Sequence, residues 1–208
     1  IIDAFDLGVQ LWQPKDLGFW FDVEETGSSF GENAFLKAQG LLQLISGVLS
    51  DGVTASVPPD KVRSSWERRF GTARPAVVAD DSGLRVDALG GGPGILTARY
   101  GQDRENPPAN DRQRWELLLK DLSTVQARGA HYVCNAILLM GTDVYYQAQE
   151  TWEGEIATEP HFGATGFGYD PVFVPDGHQQ TFAEMRMQEK SAISHRGKAI
   201  DKLVRFLK

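Results

Sequence analysis

The sequence predicts a mixed α/β sheet protein, and three observations carry that expectation. Apolar β-branched runs and amphipathic helical runs interleave along the chain. Two strand-like runs, His131 to Met140 and Val144 to Trp152, are joined through Gly141-Thr142-Asp143, which calls for a hairpin of antiparallel type. The composition, 41% hydrophobic and 24% charged over 208 residues, is that of one globular domain, with or without two lobes, long enough to bury a real core.

Taken in order, residues Ile1 to Gly8 have helix-like apolar spacing and are expected to be a helical tail. The chain begins Ile1-Ile2 with no Met, so its natural start is expected to be missing. After an acidic segment, Phe21 to Gly27, Ser29 and Glu32 stand in capping-box relation ahead of the Ala- and Leu-rich run Ala34 to Leu44, which predicts a helix. The N-terminal dipole of that helix favours anions. Lys37, one to two turns in, either points toward the same region or lies on a solvated face. Gly47 to Pro75 has no clear period and is read as an insertion carrying one short helix around Lys61 to Arg69. A lid, an oligomer contact and a tolerated excursion are all compatible with it.

The run Val77-Val78-Ala79 reads as a buried strand that stops at Asp80-Asp81 and turns through Ser82-Gly83. Two acids at such a point either bind a hard divalent cation such as Mg²⁺, which bridges carboxylates to phosphates, or cap the turn. The glycines around Pro93 let backbone approach a ligand but lack the lysine of a P-loop. Ala109 to Leu122 is an amphipathic helix with Trp115, Leu118, Leu119 and Leu122 inward. The glycine-rich loop ending Gly166-Phe167-Gly168-Tyr169-Asp170-Pro171 holds aromatics suited to stacking on a planar base. Asp170 is placed to accept N–H groups of such a base or to hold the turn. The strand Val172 to Val174 follows. A last helix, Met185 to Lys208, puts Ile193, Ile200, Leu203, Val204 and Leu207 on its buried side. Lys190, His195, Arg196 and Lys198 near its start make either a phosphate or base-edge site or an ordinary solvated face.

Composition also excludes. A formal net charge of −7 argues against binding a nucleic-acid backbone, which needs clustered Lys and Arg. No stretch approaches the roughly 18 apolar residues that span a membrane. The single cysteine, Cys134, lies in an apolar run and is expected to be a core thiol, which suits a reducing, cytoplasmic setting.

Together, Glu24-Glu25-Thr26-Gly27, Phe30-Gly31-Glu32-Asn33-Ala34 with Lys37-Ala38, Ala79 to Leu84, Asp87 to Gly91, Pro93-Gly94, Ala98-Arg99-Tyr100, Gly166 to Pro171, Thr181 to Met185 and Glu189 to Lys198 resemble one enzyme family. It is that of the inosine triphosphate pyrophosphatases, or non-canonical purine NTP pyrophosphatases. The resemblance covers the chain from about Asp16 to its end.

The resemblance implies an elongated two-lobed mixed-sheet α/β fold with a central cleft, usually a homodimer. It implies Mg²⁺-dependent hydrolysis of ITP, dITP and XTP to the monophosphate and pyrophosphate. The family's acidic metal positions fall on Glu25 and Asp81, with Asp80 as a supporting acid and Asp81 also the base for the attacking water. Its nucleotide contacts fall on Lys37, Ser82, Lys190, His195 and Arg196, and Phe167, Gly168, Tyr169 and Asp170 hold the base. The opening strand and Thr/Ser-Gly-Asn-x-x-Lys phosphate loop of the family are expected to precede Ile1. The Gly47 to Pro75 excursion is longer than the family's short connection. A 6-keto purine presents an oxygen where adenine presents an amino group. Donors from His195, Arg196 or the loop backbone would therefore reject ATP by being left unpaired. A nucleotide-binding protein without activity, and a related phosphatase releasing orthophosphate, remain as alternatives.

Overall fold

The structure, a computed structural model, describes residues 11–73, 75–141, 144–163 and 166–207, with the backbone alone at 144–145 and 191–193. The expected helical tail and the turn residues Thr142 and Asp143 lie outside the described residues. The chain forms two compact units, the first of Ile1–Asp81, Asn135–Gln149 and Ala199–Lys208 and the second of Ser82–Cys134 and Glu150–Lys198.

In the first unit, β1 (Phe21–Val23) pairs antiparallel with β2 (Val53–Ala55), Asp22 standing opposite Thr54. Helix α1 (Phe30–Ile45) starts where the capping residues predict, with the Ser29 hydroxyl accepting from the Glu32 N–H at 3.2 Å. The reciprocal bond is displaced by one residue. The Glu32 carboxylate accepts from the Ser28 hydroxyl and N–H, and these donors hold its carboxyl below the usual range. A Cβ on Gly40 would stand 3.0 Å from Val23, so the missing side chain lets α1 approach the β1–β2 ribbon. Leu44 and Ile45 bury there with Phe19, Val23, Val53 and Val62. Ala34 and Ala38 pack separately on Val77, Ile137 and Leu139.

The Gly47 to Pro75 segment is more ordered than its sequence suggests, since it supplies β2 and the helix α2 (Pro59–Phe70). A three-residue strand is too short to show a period, and the apolar stripe of α2 is narrow, Val62, Trp66 and Phe70 at i, i+4, i+8 with only Val62 fully buried.

Strand β3 (Ala76–Val86) corrects a second expectation. It does not stop at the acidic pair but runs unbroken through Asp80, Asp81, Ser82 and Gly83. Residues that are weak strand formers are carried by their neighbours in the sheet, because strand preference is mostly packing and pairing context. The sheet order is β4-β3-β5-β6-β7, with β4 at Gly92–Pro93, β5 at Gly129–Met140, β6 at Val144–Ile156 and β7 at Phe173–Pro175. The link between the neighbours β5 and β6 is far too short for a parallel crossover, so they form the expected hairpin. Strand β5 is buried almost throughout, Cys134 included, with Asn135 as a buried polar member.

In the second unit, α3 (Asp111–Asp121), capped by Asn110, puts Trp115 and Leu118 into a core with Leu84, Leu122, Tyr132, Ile156, Tyr169, Phe173 and Phe182. The last predicted helix is two. Helix α4 (Met187–Ile193) ends at Ser194, which turns extended with ψ 156°. The Ser194 hydroxyl then accepts the Gly197 N–H at 3.1 Å, capping α5 (His195–Leu207). Ile200, Leu203 and Val204 bury as expected, with Ala199 beside them, whereas Leu207 is exposed; the Ile193 side chain lies outside the described residues. Among the described residues no helix is long and apolar enough to cross a membrane.

The Phe173 ring is fully buried, 4.8 Å from Tyr132 and 5.1 Å from Phe182 between ring centres. Phe173→Ala is expected to destabilise the protein by about 3–5 kcal/mol. Urea unfolding followed by fluorescence measures it, and an unchanged midpoint would refute this account of the core.

Candidate active site

Sequence order alone brings acids to β3, and the first unit shows what meets them. Alternation along a strand sends successive side chains to opposite faces, so Asp80 and Asp81 do not share one. Asp81 is buried. Its Oδ1 accepts from Lys37 Nζ at 2.7 Å, and its Oδ2 accepts from Asn33 Nδ2 at 3.2 Å. Lys37 Nζ also stands 2.7 Å from Glu25 Oε1. Asn33 and Lys37 are four residues apart on α1 and therefore lie on one helix face. Of the two readings open for Lys37, the structure selects the inward one.

Two carboxylates thus converge on one ammonium. Burial of the Lys37 ammonium pushes its pKa down. Hydrogen bonds to Asp81 and Glu25, with their negative charges, outweigh that and hold it above the ordinary lysine value. The helix dipole is a minor partner here, worth at most about 1 kcal/mol within the first turn.

The pair also decides what could be held beside it. Mg²⁺ takes one or two carboxylates and completes its shell with waters and substrate phosphates. Glu25 and Asp81, already gathered around a cation, fit that donor set. The three-acid set expected from sequence is not assembled, for no cluster of three or more His, Cys, Asp or Glu side chains converges among the described residues. Asp80, on the opposite face of β3, is the member left out.

The nucleotide residues expected downstream fall in the second unit. Phe167 is 77% exposed at the tip of its loop, free to offer a ring face, whereas Tyr169 is 2% exposed and belongs to the core. Stacking by both aromatics is thereby reduced to Phe167, while the Tyr169 hydroxyl donates to the Thr97 carbonyl at 3.0 Å. Asp170 holds the turn, accepting the Phe167 N–H at 2.7 Å and the Lys190 ammonium. The Gly168 N–H donates to Asp111 Oδ2 at 3.1 Å, a brace from α3 that sequence reading did not find. The buried His195 ring lies parallel to Tyr132 at 4.8 Å, and Arg196 Nη2 donates to Ser82 Oγ at 3.4 Å. Lys198 sits over the Trp152 ring at 4.6 Å. Burial, with the Asp170 charge adding to it, pushes the Tyr132 phenol well up, so that ring supports His195 as a neutral group. Asn33 was likewise missed as a contact, although its i, i+4 spacing to Lys37 was a usable signal.

Comparisons with known proteins give the family. Residues 2–206 match the Ham1 family. The chain belongs to the Ham1 family. This Ham1-family chain is 38% identical over 195 residues to a dITP/XTP pyrophosphatase of Treponema denticola, covering 94% of this chain and 85% of that protein. It is 41% identical over 187 residues to a dITP/XTP pyrophosphatase of Streptomyces avermitilis, covering 88% and 76%. Among solved structures, the Ham1 protein of Staphylococcus aureus is similar with a TM-score of 0.66 at 35% identity, covering 89% of this chain and 80% of that one. The Ham1 protein of Coxiella burnetii gives the same TM-score and coverage at 36% identity.

The raised Lys37 pKa has a pH signature. A raised folded-state value stabilises fully below the unfolded lysine value of about 10.4 and ceases to do so as pH rises through the folded value. The stability difference between wild type and Lys37→Met is therefore expected to hold steady from pH 7 to 9 and to shrink above about pH 10.4. Denaturant titrations of both proteins across that range check it, and a difference that grows with alkalinity would contradict the ion triad.

Proposed function

We propose that this Ham1-family chain is a nucleoside triphosphate pyrophosphohydrolase acting on ITP, dITP and XTP, with the monophosphate and pyrophosphate as products. The observation that carries the reading is the Glu25–Lys37–Asp81 triad beside the buried Asn33. Relatives named dITP/XTP pyrophosphatase supply the substrate class.

Phosphoryl chemistry is mostly positioning and charge neutralisation. The formal charges of the triad are two negative and one positive, so by itself it repels a triphosphate. That surplus favours a divalent cation, and Mg²⁺ on Glu25 and Asp81 would neutralise phosphate charge there. Asp81 takes the proton of the attacking water as that oxygen bonds to the α-phosphorus, and pyrophosphate leaves with the electrons of the broken anhydride bond. Both contacts reaching Asp81 are donors, so neither competes with it for that proton. In the second unit, Phe167 stacks on the base. Lys190, His195, Arg196 and Ser82 provide donors to nucleotide oxygens, and Asp170 and Asp111 keep the loop in shape. Base discrimination follows from donors that pair with a 6-keto oxygen and are left unpaired by adenine. The family resemblance supports a homodimer. The buried thiol of Cys134 suits a reducing compartment such as the cytoplasm.

With Mg²⁺, the protein is expected to convert ITP, dITP and XTP far faster than ATP and to release pyrophosphate first. Product analysis by ion-exchange chromatography tests this. Orthophosphate as first product would replace the reading with a phosphatase, and binding without turnover with a nucleotide-binding protein. Asp81→Asn is expected to lower kcat by about 10²–10⁴-fold with little loss of fold. Near-normal turnover would remove Asp81 from the chemistry.

A further inference from the structure

We propose that Asn33 is a positioning residue that fixes the Glu25 loop and the Asp81 carboxylate in one alignment; the inference rests on the proposed roles of those two acids. The Asn33 side chain is fully buried, and both ends of its amide are used. Its Oδ1 accepts the Gly27 N–H at 2.9 Å, while its Nδ2 donates to Asp81 Oδ2 at 3.2 Å. Only one orientation of the amide works, because a backbone N–H needs an acceptor and an ionised carboxylate needs a donor. Asn33 is itself held at the start of α1, its own N–H donating to the Ser29 carbonyl at 3.1 Å.

The loop it grips is the one that carries Glu25. On the near side of Glu25 the Glu24 N–H donates to the Gly52 carbonyl at 2.8 Å, and on the far side stands the Asn33–Gly27 bond. Glu25 is thus suspended between two anchors, one of them Asn33. The approach is close enough to exclude a side chain, since a Cβ on Gly27 would lie 2.6 Å from Asn33 Oδ1. Lys37 draws the two carboxylates together by charge, which is strong but has little directional demand. Asn33 supplies the direction. Removing it leaves the Asp81 carboxylate held at one oxygen only, and the Glu25 loop held on its far side only through Ser28 and Glu32. Another buried amide in the same unit offers a contrast: Asn135 bonds to Gln147 and Gln149.

The test combines kinetics with a readout that needs no turnover. Asn33→Ala is expected to lower kcat for ITP by about 10–100-fold, the range for partners that orient metal ligands, with KM little changed. Added to Asp81→Asn, Asn33→Ala is expected to cost less than it does alone, because the part of its effect that acts through the Asp81 carboxylate is already gone. Exchange of the Gly27 amide proton should accelerate in Asn33→Ala while that of Leu44 stays protected, and Mg²⁺ affinity by calorimetry should fall. Full additivity with Asp81→Asn, unchanged Gly27 exchange, or a kcat loss that only follows the unfolded fraction would each overturn the proposal. Should the wild-type protein hydrolyse no triphosphate, the functional reading fails alone, and Gly27 exchange and Mg²⁺ affinity still decide the role of Asn33. If Asn33→Ala does not fold, Gly27→Ala crowds the same contact from the loop side and is expected to give the same kcat loss. Wild-type kcat in that variant would refute the clamp.

Discussion

The Lys37 ammonium between Glu25 and Asp81 is the interaction on which the first unit is organised. A carboxylate as buried as Asp81 is costly unless it is paired and hydrogen-bonded, and Lys37 and Asn33 meet both requirements. The pairing explains local choices that look unrelated. Helix α1 must start near Ser29 for Asn33 and Lys37 to share the face toward β3, and Gly27 must lack a side chain for the loop to reach Asn33. Gly40 brings the same helix onto β1 and β2, and so fixes where its inward face lies. Capping, close approach and charge pairing thus point to one placement of α1, the consistency across levels that marks a specified structure.

The second unit solves a different problem by different means. A loop that presents an exposed aromatic ring gains nothing from burying it, so the loop must be rigid without a core of its own. Phe167 is left in solvent while its neighbours are tied down: Gly168 to Asp111, Tyr169 into the core and to Thr97, and Asp170 to Lys190. His195 is held by ring stacking on Tyr132, which itself leans on Phe173 and Phe182. The hydrophobic core of this unit therefore reaches the candidate base-binding groups directly, and a defect in it would be felt there first.

How much of this was legible in the sequence varies with the distance over which each feature is decided. The start of α1, the α3 stripe, the β5–β6 hairpin and the burial of Cys134 are set within a few residues, and all were readable. The extent of β3 was not, because Asp-Asp-Ser-Gly has the local character of a turn and is kept extended by partners remote in sequence. The break at Ser194 was hidden for the opposite reason. Serine is tolerated inside helices, and only its backbone ψ and its bond to Gly197 reveal a cap. The acids and cations of the site were identifiable by type. Their grouping came from the family resemblance, which pairs Glu25 with Asp81; residue types alone could not give it, since Asp80 and Asp81 are adjacent in sequence yet face opposite ways, while Glu25 and Asp81 are distant.

The uninterrupted course of β3 also bears on the chemistry. An acid at a frayed strand end would have a mobile backbone as well as a mobile side chain. Asp81 instead lies within an eleven-residue strand paired with β5, so its Cα is fixed by the sheet and only side-chain torsions remain free. Those torsions are the ones that Lys37 and Asn33 restrain, one on each carboxylate oxygen. Orientation is then established before any substrate arrives, which is the condition under which a fixed polar group contributes most to a reaction. Glu25, carried on a loop, has no such backbone support, and for that reason depends on the anchors at Gly52 and Asn33. The two acids reach one ammonium from scaffolds of unequal stiffness, and Asn33 ties the loop of one, at the Gly27 N–H, to the carboxylate of the other.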